Sequence, residues 1–108
     1  MPGYLLIESR DPFSSQAALR HVELAVALRR SGAAVALYLV QNAVLPCRAG
    51  ADGDALHEAL AAGVEVMADD FSLAERGIGD SGVARGIRPS SIATVIDRLT
   101  SSWKVMFL

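Results

Sequence analysis

The chain has 108 residues with a formal net charge of −2, and 52% of them are hydrophobic against 20% charged. That length predicts one domain spanning 1–108, able to bury about two-thirds of its unfolded surface without a disulfide or metal staple. Its ten Lys and Arg form no basic stripe of the kind that neutralises phosphates, which argues against nucleic acid as a partner. The opening MPGYLLIESRD has no basic segment before its apolar run and turns charged at Glu8. It therefore reads as neither a signal peptide nor an anchor, and no apolar run approaches membrane-spanning length. One cysteine cannot close an internal disulfide and suits a reducing compartment. The expectation is a cytoplasmic protein with no membrane contact. The apolar content is high for so small a monomer, so a homo-oligomer is expected to bury part of it.

Tyr4 to Glu8 (YLLIE) predicts a first strand, ended by the polar run Ser9, Arg10, Asp11 ahead of Pro12. Ser14 or Ser15 can cap a helix running to Arg30, with Leu19, Val22 and Val26 as its inward stripe, widened by Ala18, Ala25 and Leu28. Arg29 and Arg30 suit its carboxyl-terminal dipole, and Gly32 is the expected left-handed stop. The second strand, 34–40, is continuously apolar, which predicts burial on both faces and hence a parallel sheet covered by helices. A strand, a helix and a strand of these lengths form a right-handed βαβ unit.

The second strand stops at Gln41 and Asn42, and the segment then leads through Pro46 to Cys47 and a loop, RAGADGD. Asp54 is the expected cap of a short helix with Leu56 and Leu60 inward and Gly63 closing it. A third strand covers 64–68 and ends at Asp69 and Asp70. Ser72 and Glu75 are spaced as a capping box for a brief helix ending at Gly77. Val83 to Ile87 predicts a short fourth strand, interrupted by Arg85 and Gly86. Ser90 or Ser91 begins a helix whose Ile92, Val95, Ile96 and Leu99 fall at i, i+3, i+4 and i+7, the clearest amphipathic spacing in the chain. Trp103 to Leu108 predicts a closing strand.

Gly77, Gly79 and Gly82 spell G-x-G-x-x-G, but the run follows a helix instead of a strand and reads as a glycine-rich turn. No cofactor is expected. With one Cys and two isolated histidines, no metal site can be written. His21 and His57 lie within helices and read as ordinary helix-face residues. Cys47 is the sharper case. The loop around it predicts exposure, and Arg48 beside the thiol would favour the thiolate, although a lone cysteine is also a common packing residue. Ligands in open α/β sheets collect beyond the carboxyl ends of the strands. That places Glu8, Gln41, Asn42, Arg48, Asp69 and Asp70 with Cys47 as the expected site. Adjacent acids such as Asp69 and Asp70 also serve as helix caps.

The order of elements, with QNAVL after the second strand, then AAGVEVMADDFSLAERGI, a SSIATVIDRL helix and a closing WKVMFL, resembles the DsrE/DsrF/DsrH-like family (TusD/YchN-like) over nearly the whole chain. Its motifs are an aliphatic strand ending in Asn42-Ala43-Val44 and a helix ending Arg76-Gly77-Ile78. The resemblance implies a three-layer α/β sandwich with a mostly parallel sheet of about five strands. It also implies homo-oligomers from dimer to hexamer and, for some members, intracellular sulfur transfer with donor and acceptor proteins. In that type the sulfur-carrying cysteine follows the third strand, where this chain has Met67-Ala68-Asp69-Asp70-Phe71. Two readings follow: a sulfur carrier using Cys47, at most a sulfurtransferase, and a cysteine-independent ligand-binding or structural oligomer subunit.

Overall fold

Along the first strand, β1 (Gly3–Glu8), side chains alternate between two cores. Leu6 joins one apolar cluster and Leu5 and Ile7 the other, and all three are buried. The structure is a computed structural model that describes residues 3–51 and 54–108, without the side chain of Asp54, so the expected Asp54 cap and part of the RAGADGD loop lie outside the described residues. The remaining elements are α1 (Gln16–Arg30), β2 (Ala34–Leu39), a 3₁₀ segment Gln41–Cys47, α2 (Asp54–Ala62), β3 (Glu65–Asp69), α3 (Asp70–Glu75), β4 (Ile87–Ser90), α4 (Ile92–Leu99) and β5 (Lys104–Phe107).

The five strands form one all-parallel sheet in the order β4-β3-β2-β1-β5. Register sets Leu6 opposite Leu37 and Met106, and Leu39 opposite Ala68. Successive steps from β1 to β4 move in one direction, so right-handed crossovers stack their helices on one face. The last step reverses and puts α4 on the other face. The packing follows this rule. Val22, Ala25 and Val26 of α1, Leu56 and Ala59 of α2, and Leu73 of α3 share one core with Leu6, Leu37 and Val66. Val95 is the buried residue that α4 adds to Leu5, Ala36, Tyr38 and Met67.

Ser15 caps α1 by accepting the Ala18 N–H at 3.1 Å, and Gly32 turns the chain with φ +103°. Leu19, expected inward, is exposed while Ala18 fills that position. Three further expectations are corrected. The fourth strand lies at Ile87–Ser90 instead of 83–87. Gly86, at φ +92°, breaks the earlier stretch, while Val83 pairs antiparallel with Arg48 outside the sheet. The capping box does not form, because Asp69 caps α3 itself. The Pro46–Cys47 segment is a buried 3₁₀ turn, not an exposed loop. Along the apolar stripe of α4, Val95 is buried, while Ile92, Ile96 and Leu99 are more than half exposed.

Candidate functional site

The reversal of strand order falls between β1 and β5, and ligands in open α/β sheets bind in the crevice beyond the carboxyl ends at such a point. A cleft of about 340 Å³ lies there, lined by Ile7, Ser9, Tyr38, Val40, Gln41, Ile92, Phe107 and Leu108. Its size suits a small molecule, and its walls are mainly apolar with Ser9, Tyr38 and Gln41 as polar points.

A buried polar network supports the cleft from beneath. The Tyr38 hydroxyl donates to Asp69 Oδ1 at 2.6 Å and lies 3.3 Å from the Ser90 carbonyl oxygen. The other Asp69 oxygen accepts the Ser72 N–H at 3.0 Å and the Ser72 hydroxyl at 2.7 Å. Ser72 Oγ in turn accepts the Gln41 N–H at 2.8 Å. Gln41 has φ +53°, a left-handed conformation that costs a non-glycine residue of order 1 kcal/mol and persists only where neighbours fix it. Here the fixing contact is the bond to Ser72. Burial, and then the hydrogen bond to the Asp69 carboxylate, push the Tyr38 phenol above its ordinary value, so it stays a proton donor.

On the other face of β1, Glu8 is fully buried yet satisfied. Its Oε2 accepts the Ser9 and Arg10 N–H groups at 2.9 and 3.1 Å, and its Oε1 lies 2.5 Å from Nδ1 of His21. The His21 side chain is 28% exposed. Sequence reasoning passed over His21 because its partner is thirteen residues away. The readable signal was an acid ending a buried strand beside a histidine in the helix that packs on it.

The other expected site residues separate. Asn42 is exposed, and its Oδ1 accepts from Arg76 Nε and Nη2 at 3.3 and 3.0 Å. Asp70 is exposed in the first turn of α3. Arg48 is exposed, with its Nε donating to the Leu45 carbonyl at 2.9 Å. Cys47, expected to be accessible, is completely buried in the core shared with Ala43, Val44 and Leu56. Its thiol faces the Ala43 carbonyl oxygen at 3.9 Å, and desolvation pushes its pKa up to about 12. Arg48 does not offset that cost. The thiolate is therefore disfavoured in this packing. Among the described residues, no cluster of three or more His, Cys, Asp or Glu could hold a metal ion, and no helix is long and apolar enough to cross a membrane.

An all-parallel five-strand sheet with helices on both faces, built in this order, is a DsrE-like α/β fold. The ychN protein from E. coli shares it with a TM-score of 0.88 at 21% identity, covering 100% of both chains. MTH1491 from Methanobacterium thermoautotrophicum, described as a protein of unknown function, shares it with a TM-score of 0.73 at 15% identity, covering 98% of this chain and 99% of its own. No family model and no curated protein matches the sequence.

Proposed function

We propose that this protein is a cysteine-independent, small-ligand-binding member of the DsrE-like fold that works as a homo-oligomer. The observation that carries the reading is the cleft at the β1/β5 reversal, with Tyr38 and Gln41 held at its base by Asp69 and Ser72. A strained residue over-determined by a buried network at a strand's carboxyl end is the kind of preorganisation a binding site uses. The ligand is compact and largely apolar, with one polar group for Ser9 or Gln41. Assembly is supported by the exposed row Ile92, Ile96 and Leu99, which leaves the strongest apolar stripe of the sequence uncovered in a single chain.

The competing reading, sulfur carriage on Cys47, requires the Gln41–Cys47 segment to open, because the thiol is buried and held protonated. A thermal-shift screen of small molecules, with Ser9→Trp as the cleft-filled control, tests binding. Native protein is treated in parallel with iodoacetamide and with polysulfide and weighed intact. The proposal expects hits that Ser9→Trp loses, and an unmodified Cys47 until denaturant is added. Rapid native labelling with a reducible sulfur adduct, and no compound that binds the cleft, would reverse it in favour of the carrier.

A further inference from the structure

The Glu8 and His21 contact lies outside the cleft and joins β1 to α1. A carboxylate has no proton to give, so the 2.5 Å contact between Glu8 Oε1 and His21 Nδ1 puts the imidazole proton on Nδ1. In neutral imidazole that leaves the lone pair on Nε2, which makes no hydrogen bond among the described residues. Glu8 cannot swing away, because two backbone N–H groups grip its other oxygen and its side chain is fully enclosed. The result is an oriented base: a fixed carboxylate behind one ring nitrogen, on a side chain that is 28% exposed. Ser9 ties the pair to the cleft, since it lines that cleft while its N–H holds Glu8.

We propose that Glu8 and His21 form a proton-transfer pair in which His21 Nε2 accepts the proton of a hydroxyl or thiol on a small molecule at the carboxyl edge of β1. The pair is on the face of β1 away from the cleft, so the inference goes beyond the ligand-binding reading and stands apart from it. In the step, the O–H or S–H bond breaks, its electron pair stays on the ligand atom, and the proton goes to Nε2. Nδ1–H remains on Glu8 Oε1, so the imidazolium that forms is paired with a carboxylate already in place. No oxidant or second reactant is needed. Glu8 is the positioning residue and His21 the group that touches the ligand.

The chain has two histidines, so imidazole 15N spectra resolve each ring, with His57→Gln separating them. Wild type should show His21 with its proton on Nδ1. In Glu8→Gln the amide oxygen can keep the Ser9 and Arg10 N–H groups, while the amide NH₂ faces Nδ1 and forces the proton to Nε2. The same lone pair is read by hydrolysis of p-nitrophenyl acetate at pH 8, in which Nε2 attacks the acyl carbon, p-nitrophenolate leaves with the electron pair of the broken C–O bond, and water then hydrolyses the acetylimidazole. Glu8→Gln and His21→Gln should each lower the protein-dependent rate by roughly tenfold or more, while His57→Gln leaves it unchanged. A wild-type His21 proton found on Nε2, or a His21→Gln rate equal to wild type, overturns the proposal. If Glu8→Gln does not fold, the wild-type spectrum and the His21→Gln rate decide. Neither readout uses a cleft ligand, so a thermal-shift screen without hits would count against the binding reading and leave this pair standing.

Discussion

The hydroxyl of Tyr38 reaches across from β2 to the carboxylate that caps α3, at 2.6 Å from Asp69 Oδ1. One side chain thus couples the sheet to the helix that anchors Gln41. Tyr38→Phe keeps the ring packing and leaves Asp69 Oδ1 buried without that donor. It should destabilise the protein by about 1–3 kcal/mol in urea denaturation. It should also loosen Gln41, seen as faster amide exchange at Gln41 and Ser72 than in wild type.

Alkaline stability follows from the Cys47 thiol. Folded, it holds its proton to about 12, against an ordinary value of 9.0. Between those limits the unfolded chain loses the proton and the folded chain does not. The stabilisation is fully present below about pH 9 and is lost as pH rises toward 12. The raised Tyr38 phenol acts in the same direction. Midpoint temperatures should therefore fall as pH rises above 9, and Cys47→Ala should flatten part of that fall while lowering stability at neutral pH through the cavity it leaves.

On α4, Ile96→Glu combined with Leu99→Glu places charge on positions that are exposed in the single chain. Sedimentation should show wild type heavier than the 11.4 kDa monomer and the double variant shifted toward that mass, with unchanged far-ultraviolet circular dichroism. A wild type that sediments as a monomer at every concentration removes the assembly from the proposed function.

Gly3 has no room for a side chain. A Cβ there would run into the six-membered ring of Trp103, over which the guanidinium of Arg98 lies 4.1 Å from the ring centroid. Gly3→Ala should cost about 1–3 kcal/mol and lower the thermal midpoint, whereas Gly79→Ala, with open space around it, should be close to neutral.

Strands and helices with strong local patterning were legible in the sequence. The buried runs of β1 and β2, the helix between them and the glycine stop at Gly32 follow from periodicity and capping alone, and these suffice for the parallel βαβ start. What failed depended on distant partners. Val83 looks like strand, but it pairs with Arg48 outside the sheet, and the edge strand β4 contains Pro89, which an edge tolerates because no neighbour needs its N–H. Pro46 and the glycines after Cys47 suggested a loop, whereas Ala43, Val44 and Pro46 fold the segment into the core and take the thiol with them. Of the expected site, Gln41 and Asp69 do meet through Ser72, a serine read only as a cap. Glu8 was placed at the right edge without its histidine. Asn42, Arg48 and Asp70 share that polar rim only in sequence, since side-chain direction is set by the 3₁₀ turn and by α3.

The pairing of β5 with β1 has a consequence for the order of events during synthesis. Register matches Tyr4 with Lys104 and Ile7 with Phe107, so nearly the whole polypeptide separates the two partners. The layer from β1 to β4 can assemble on the nascent chain before residues 104–107 leave the ribosome, with β1 meanwhile an unpaired border open to other strands. Phe107 and Leu108, which wall the cleft, arrive after the other four strands. A ligand therefore cannot act as a template for the early stages of folding. It can only recognise a chain whose β5 has docked on β1, and any rescue it gives to destabilised variants should be confined to that docking step.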